Sequence, residues 1–213
     1  MKITFISDTH GKHNQITNDL PGGAIIIHAG DVSNTGTNSQ IQDFLDWFAE
    51  LPYTHKVFIA GNHDFGFETI RHSRDKGITL PKGVTYLQDE SVIIEGIKIY
   101  GSPWQPRFYD WAFNLNRGEQ ISEKWEMIPD DVDILVTHGP PFGILDRTDR
   151  GDVVGCEELY FRVVNIKPRV HVFGHIHEGY GMREMNGTAF INASCLNSRY
   201  DYKNKPVVFE FDK

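Results

Sequence analysis

Short runs of apolar, mostly β-branched residues recur along the chain and alternate with segments that have a longer hydrophobic period. Nearly every position in these runs is apolar, which is typical of strands that are buried on both faces. The runs lie at residues 2–7, 24–30, 56–61, 133–139 and 170–175. Segments 39–51 and 155–167 instead carry apolar residues at helical spacing. Strands that alternate with helices predict an α/β fold.

The remaining apolar runs depart from this simple alternation. Segment 91–101 splits into two short runs around Glu95 and Gly96, which predicts a β-hairpin. Residues 188–194 and 206–212 predict two further strands with no helix between them. We therefore expect two mixed sheets with helices outside them. A chain of 213 residues without a linker rich in proline and serine favours one domain over residues 1–213.

The composition limits the partners and the compartment. The formal net charge is -8, and lysine and arginine form no basic stripe. Duplex nucleic acid and anionic membranes are therefore poor partners, because both attract dense positive charge. The two cysteines, Cys156 and Cys195, are far apart in sequence and lack C-x-x-C spacing. This disfavours a disulfide framework and a thiolate zinc site, and it favours a reducing compartment. The apolar run before Asp8 is too short for a signal peptide or a membrane span, so we expect a cytoplasmic protein.

Polar side chains that can bind metals follow each of the five buried runs, nearly always beside a glycine. In an open α/β sheet the ligand crevice lies at the carboxyl ends of the strands, so these side chains are expected to converge. A mixed shell of oxygen and nitrogen suits manganese, iron, zinc, cobalt or nickel better than calcium. Such a set is too large for one ion and fits two ions that share a bridging carboxylate, about 3.5–4 Å apart. The candidate ligands are Asp8, His10, Asp31, Asn62, His138, His175 and His177.

The order of these motifs resembles that of a known family. The patterns D-x-H, G-D, G-N-H-D, H-G and G-H-x-H, together with "ILVTHGPP" and "VHVFGHIHEGYG", resemble the calcineurin-like metallophosphoesterases. The likeness extends to the metallophosphoesterase-domain-containing subgroup, which is related to class III cyclic nucleotide phosphodiesterases. It implies a four-layer α/β sandwich of two mixed β-sheets flanked by helices, with a dinuclear metal site at the carboxyl ends of the strands.

The resemblance also implies a role for each candidate. In the family the first metal is held by an aspartate and two histidines, the second by an asparagine and two histidines, and a further aspartate bridges them. A metal-bridging hydroxide attacks phosphorus in line, and a histidine protonates the leaving oxygen. Carried over, Asp8, His10 and His177 hold the first ion, Asn62, His138 and His175 hold the second, Asp31 bridges them and His63 is the general acid. His63 has an alternative role as a histidine that supports its loop.

Other polar residues and glycines have less specific interpretations. His28 and His171 lie inside strand-like runs and are expected in the core or in support of the ligands. Asp64 either orients His63 or begins a helix. The glycines Gly30, Gly61, Gly139 and Gly174 are expected to permit tight backbone at strand ends. Three further histidines are expected at the surface: His13, His55 and His72.

The choice of substrate depends on segment 101–118. Its aromatic side chains can stack on a base, and its polar side chains can read a base edge or a phosphate, although its tryptophans can equally be core residues. The candidate substrate-binding residues are Trp104, Trp111, Asn114 and Arg117. Segment 30–36, "GDVSNTG", lacks the arginine that protein phosphatases place after this motif, which disfavours a phosphoprotein substrate.

We therefore expect a phosphodiesterase that acts on small phosphodiesters, above all cyclic nucleotides, with two divalent ions of which manganese is the leading choice. A phosphomonoesterase or nuclease on the same site is the enzymatic alternative. A metal-binding scaffold with weak catalysis is the alternative outside enzymology, and a homodimer is possible in either case.

Overall fold

The computed structural model describes residues 1–70 and 77–211. The strands are β1 (Lys2–Ile6), β2 (Gly23–Ala29), β3 (Tyr53–Ile59), β4 (Val84–Tyr86), β5 (Glu90–Ile94), β6 (Ile97–Ser102), β7 (Gln105–Pro106), β8 (Asn114–Leu115), β9 (Ile134–Thr137), β10 (Val170–Phe173), β11 (Gly181–Met185), β12 (Thr188–Asn192) and β13 (Val207–Glu210). The α-helices are α1 (Asn38–Glu50), α2 (Phe65–Ile70), α3 (Glu119–Glu126) and α4 (Glu157–Ile166).

Most of the strands form two large mixed sheets. The first has the order β13-β1-β2-β3-β4, and the second has the order β11-β12-β10-β9-β6-β5. The neighbouring strands from β1 to β4 are parallel, as are β6, β9, β10 and β12. Antiparallel strands β13, β11 and β5 form three of the four sheet edges, and the parallel strand β4 forms the fourth. The predicted hairpin is confirmed as β5 and β6. The expectation of two mixed sheets with helices outside is therefore confirmed.

Alternation along each strand divides the apolar residues between two faces. Ile3 and Phe5 point into a core between the sheets, whereas Ile6 packs under α1 on the outer face. In the second sheet, Val172 joins the core between the sheets and Phe173 packs against α3 and α4. Runs that are apolar at nearly every position suit strands covered on both faces. The result is a helix layer, two sheets and a second helix layer.

The two predicted helices are present with slightly shifted ends. Helix α1 was expected over 39–51, and Thr37 precedes it and accepts a hydrogen bond on its side chain from Gln40 N at 3.4 Å. Its buried face includes Phe44 and Phe48. Helix α3 and strand β11 were not predicted. They are short, and polar residues interrupt their apolar pattern.

The predicted surface position of His13 is wrong. Its side chain is fully buried, with ring centroids 4.8 Å from Trp47 and 5.9 Å from Phe44. His13 begins a short 3₁₀ segment directly after the first strand loop, and α1 covers that segment. The side chain of His55 is half-buried, and His72 lies outside the described residues.

The carboxyl ends of both sheets meet at one edge of the molecule. Asp8 N donates to Gly30 O at 3.0 Å within the first sheet, and Gly174 N donates to His138 O at 2.9 Å within the second. Cys195 N donates to Ser7 O at 2.9 Å and connects the two sheets. The loops after β1, β2, β3, β9 and β10 therefore share one region. Across the described ranges, every helix is too short or too polar to cross a bilayer.

Candidate metal centre

Three candidate ligands come together where β1 and β10 end. His10 Nε2 lies 3.3 Å from His177 Nε2. Asp8 Oδ1 lies 3.5 Å from His177 Nε2 and 4.0 Å from His10 Nε2. All three side chains are buried. This spacing suits the ligands of one ion, since metal–nitrogen and metal–oxygen bonds are about 2.0–2.2 Å long.

A second group forms where β2, β3, β9 and β10 end. Asp31, His138 and His175 each offer a ligand atom within 4.8 Å of the others. Asn62 joins them, because its Oδ1 lies 2.9 Å from His138 Nε2. The rings of His138 and His175 are 5.0 Å apart between centroids. These are the residues that the resemblance assigns to a second ion.

Asp31 lies between the two groups. Its Oδ2 is 3.6 Å from His10 Nε2 in the first group and 3.3 Å from His138 Nε2 in the second. Its Oδ1 accepts a hydrogen bond from His63 N at 2.8 Å. One carboxylate therefore contacts both groups and the backbone of the candidate general acid.

Backbone carbonyls determine which ring nitrogen of two histidines faces the centre. His138 Nδ1 lies 3.0 Å from Ala29 O, and His177 Nδ1 lies 2.9 Å from Asn197 O. Since a carbonyl oxygen only accepts, each Nδ1 carries the hydrogen that it donates. In the neutral ring each Nε2 then directs a lone pair at carboxylate or amide oxygens. Lone pairs that meet in this way need a cation between them, so the donor set fits a divalent metal.

The crowded donors also shift the pKa values of these groups. Burial opposes the charged form of His138, but the charge and hydrogen bond of Asp31, the charge of Asp8 and the carbonyl of Ala29 together raise the pKa of His138 to about 9. The pKa of His177 is raised to about 9 against burial by the hydrogen bond and charge of Asp8. Burial lowers the pKa of His175 to about 3. Protons on His138 and His177 thus occupy positions where a bound cation would displace them.

Four candidate ligands adopt a backbone conformation that is rare for residues other than glycine. The φ angles are 52° at Asp8, 43° at His10, 56° at Asp31 and 67° at His175. Such conformations cost roughly 1–3 kcal/mol each and cluster at functional sites. The loops hold them with backbone hydrogen bonds, among them His10 N to Asp31 O at 3.0 Å.

Two of the predicted shaping glycines leave room for carboxylates. A Cβ atom at Gly61 would overlap Asp31 Oδ1, and a Cβ atom at Gly174 would overlap Asp8 Oδ2. Neither glycine has a positive φ. Close approach of a ligand side chain, rather than an unusual turn, therefore requires glycine at both positions.

We expect Gly174→Ala to displace the Asp8 carboxylate and to lower the metal content of the purified protein by about one ion per chain. Metal analysis after dialysis measures this. Gly139→Ala is the matched control, because its Cβ would meet only Gln105 Cβ, at 3.2 Å. An unchanged metal content in Gly174→Ala would show that Asp8 is not a ligand.

Buried polar side chains support the loops that carry the candidate ligands. Asp64 accepts hydrogen bonds from Gly61 N at 2.9 Å, Val32 N at 3.1 Å and Ser33 N at 2.9 Å. Its carboxylate thus joins the loops after β2 and β3, and Asp64 also directly precedes α2, as one of its two expected roles required. Ser194 Oγ donates to the Asp8 carboxylate at 2.6 Å.

The two strand histidines outside the centre are buried and pair with threonines. His28 Nε2 lies 3.0 Å from Thr9 Oγ1, and His171 Nε2 lies 2.8 Å from Thr137 Oγ1. Thr137 in turn donates to Gly139 O at 2.8 Å. Both histidines therefore stabilise the segments next to His10 and His138, as expected for groups that support the ligands.

His63 lies beside the centre with its ring fixed at one nitrogen. Its Nδ1 donates to Asn34 O at 2.8 Å, which leaves Nε2 for the cleft. The ring centroid is 4.3 Å from that of Trp111 and 4.5 Å from that of His10. A ring nitrogen of His63 also lies within 4.8 Å of donor atoms of His10 and Asp31. Distances alone thus allow either proton transfer or metal binding.

The structure separates the four candidate substrate-binding residues. Trp111 lines the cleft together with Asp31, His63 and His175. Trp104 instead donates to Asp89 at 3.0 Å and packs on Phe113, away from the residues that line the cleft.

The two polar candidates also lie in different places. Asn114 holds its own segment, because its side chain donates to Phe108 O and Tyr109 O at 3.2 and 3.0 Å. Arg117 lines a neighbouring cavity that His175 also lines. The segment 101–118 therefore reaches the centre through Trp111 and, by way of the cavity, Arg117.

Comparison with known proteins decides the family. Residues 1–179 match the family model described as calcineurin-like phosphoesterase. The chain belongs to the calcineurin-like phosphoesterases. Together with the two donor groups, membership supports hydrolysis of phosphoesters with bound divalent metal.

Two relatives and one solved structure illustrate how this phosphoesterase compares with others. Human metallophosphoesterase domain-containing protein 1 is 41% identical over 98% of this chain and 70% of its own length. UPF0046 protein T07D4.2 of Caenorhabditis elegans is 38% identical over 99% of this chain and 60% of its own length. The structure of phosphopantetheinyl hydrolase (PptH) from Mycobacterium tuberculosis matches with a TM-score of 0.61 at 14% identity, over 93% of this chain and 90% of that chain. This structural likeness shows the fold alone.

One residue of the phosphoesterase cleft was not predicted from the sequence. The Tyr200 ring centroid lies 4.8 Å from that of His10 and 5.1 Å from that of His177. Tyr200 has a φ of 62°, and Lys12 Nζ donates to its carbonyl at 2.5 Å. Its position in a polar loop far from the strand-end motifs carries no local signal.

Proposed function

We propose that the protein is a dinuclear phosphodiesterase of small phosphodiesters, with nucleotides, including cyclic ones, as the leading substrate class. The observation that carries this proposal is the position of Asp31 between two groups of metal-binding donors, with His63 beside them in an open cleft. A phosphomonoesterase or nuclease would use the same residues. The cytoplasmic location and a homodimer remain predictions.

The proposed ligands divide between two ions as the family resemblance implies. Two bound divalent ions, with manganese the leading choice, would neutralise phosphate charge and lower the pKa of a bound water. The chain's own contribution is to keep the donors neutral or anionic and correctly aimed. The first ion would be held by Asp8, His10 and His177, the second by Asn62, His138 and His175, and both by Asp31.

His63 is proposed to give a proton to the departing oxygen. Its Nδ1–H is already used by Asn34 O, so only Nε2 can carry a second proton toward the substrate. The hydrogen bond from His63 N to Asp31 Oδ1 fixes the residue next to the bridging carboxylate. A charged imidazolium in this position assists poor leaving groups most.

The experiment that tests the activity combines chelation with a substrate panel. Protein treated with chelator should hydrolyse none of the panel, and added manganese should restore turnover of phosphodiesters. The panel should contain cyclic nucleotides, dinucleotides, nitrophenyl mono- and diesters, and single-stranded DNA. Monoesters or DNA as the fastest substrates would favour an alternative activity. If the metal-loaded protein hydrolyses no substrate of the panel, the alternative of a metal-binding scaffold with weak catalysis would be favoured.

We expect Trp111→Ala to raise KM for nucleotide substrates roughly tenfold, because base stacking on an aromatic ring contributes about 1–3 kcal/mol. Hydrolysis of glycerophosphocholine, a diester without a ring, should change little. Initial-rate kinetics on both substrates measures this difference.

Trp104→Ala is the matched control for Trp111→Ala, because Trp104 packs on Phe113 outside the cleft. Its KM values should stay at the wild-type level once thermal melting confirms folding. Equal effects of Trp111→Ala on both substrates would assign Trp111 to the support of His63 instead.

A further inference from the structure

A cavity of about 400 Å³ opens beside the cleft that holds the metal-binding donors. Phe108 and His175 line both the cavity and the cleft. The cleft has its other walls at Trp111, His63 and Tyr200. A phosphate placed over the donors would thus have one recess on the Trp111 side and a second recess on the His175 side.

The walls of this cavity suit a flat ring. Val153, Val154 and Ile176 supply apolar surface. The guanidinium of Arg117 is held in the wall, because its Nη1 and Nη2 donate to Gly155 O and Val154 O, each at 2.8 Å. A guanidinium fixed in this way presents a flat face and further N–H donors.

The cavity also contains a polar group that its own surroundings leave unused. Thr148 Oγ1 is buried without a hydrogen-bond partner among residues 1–70 and 77–211, and Thr148 lines the cavity. Buried hydroxyl groups in native proteins are nearly always paired, and an unpaired one is costly. Rotation of the Thr148 side chain would turn this hydroxyl group toward a ligand acceptor in the cavity, beside the N–H donors of Arg117.

We propose that this cavity binds the second ester group of an open-chain phosphodiester and that the group is a flat ring carrying hydrogen-bond acceptors. This inference rests on the proposed phosphodiesterase function. The leaving group lies toward His63 and Trp111, and the retained group enters the cavity past His175. A monoester has no group for the second recess, and a cyclic diester places both ester oxygens on one sugar. Open diesters with two separate organic groups would therefore fill both recesses, whereas cyclic nucleotides would fill only one.

Two diesters with the same leaving group test the cavity. Bis-p-nitrophenyl phosphate and methyl p-nitrophenyl phosphate both release nitrophenol, and they differ only in the retained group. We expect Val153→Trp, which fills the cavity, to lower the ratio of kcat/KM for the bis-ester to that for the methyl ester at least tenfold. Val153→Ala, which cannot overpack, should lower the same ratio about two- to fivefold through lost apolar contact. Val208→Trp on the exposed face of β13 is the matched control and should leave the ratio unchanged.

Binding without turnover separates this inference from the proposed function. In the manganese-loaded protein, calorimetry should show that diphenyl phosphate binds at least tenfold more tightly than dimethyl phosphate, and that Val153→Trp removes this preference. If the protein hydrolyses no phosphoester but keeps the preference, the proposed function fails and the cavity assignment holds. Equal binding of the two phosphates, or the same kinetic ratio in all variants, would overturn the assignment.

Discussion

Replacing Asp31 with alanine should abolish catalysis and release metal. This carboxylate lies 3.6 Å from His10 Nε2 and 3.3 Å from His138 Nε2, so its loss affects both donor groups. We expect phosphodiester turnover to fall on the order of 10³-fold or more, because charge stabilisation by correctly placed groups is a large part of catalysis at such sites. Metal analysis should find fewer than two ions per chain. Turnover assays with saturating manganese measure the remaining activity.

The same variant should lose the stabilisation that metal gives the folded protein. A ligand that binds only the folded state stabilises it by about 2.7 kcal/mol at a concentration 100-fold above its Kd. Manganese should therefore raise the melting temperature of the wild-type protein more than that of Asp31→Ala. Asp46→Ala, on the exposed face of α1, is the control and should behave like the wild type. Full activity of Asp31→Ala, or of the intact protein in chelator, would contradict a dinuclear centre.

The second large effect is expected for His63→Ala. The variant should keep both ions and lose roughly 10²–10⁴-fold in turnover on substrates with poor leaving groups, because general acid catalysis contributes that much. The loss should shrink for nitrophenyl esters, since nitrophenolate leaves without a proton. Steady-state kinetics on a nucleotide and on a nitrophenyl diester, with metal analysis of the same samples, measures both effects.

The distance of His63 from the donor groups makes the metal analysis decisive. A ring nitrogen of His63 lies within 4.8 Å of His10 and Asp31 donor atoms, so a loss of metal in His63→Ala would identify a ligand rather than an acid. An equal loss of turnover on both substrates with full metal content would leave His63 as a residue that supports its loop. His55→Ala is the matched control, because His55 is a half-buried histidine within β3, ahead of the strand end.

Most of the candidate ligand set could be predicted from local sequence. Asp8, Asp31 and His138 each follow a run of apolar residues, and such runs predict strands without reference to the rest of the chain. Parallel strands bring their carboxyl ends to one edge, so residues far apart in sequence can be expected to meet there. Gly61 and Gly174 were expected to permit tight backbone at the strand ends for the same reason, but their close contacts with the Asp31 and Asp8 carboxylates were not predicted. Those depend on how the two sheets face each other.

The tryptophans of segment 101–118 show where local sequence is insufficient. Trp104 and Trp111 lie in the same aromatic segment, yet one packs on Phe113 and the other contacts His63. The difference arises because Ala112 N donates to Asn62 O at 3.1 Å and holds the segment against the centre at that point. Such a contact joins distant positions and leaves no periodic signal.

The sequence by itself determined the alternation of the main strands and helices along the chain, the placement of the candidate donors after the strands and the kind of chemistry proposed for them. These follow from hydrophobic periodicity and side-chain chemistry, which are local properties. Only the tertiary structure decided that His13 is buried, that Tyr200 lies beside His10, and that a second recess opens past His175. Each of these depends on the packing of loops from different sheets, where the free energy comes from contacts between distant residues that no local pattern encodes.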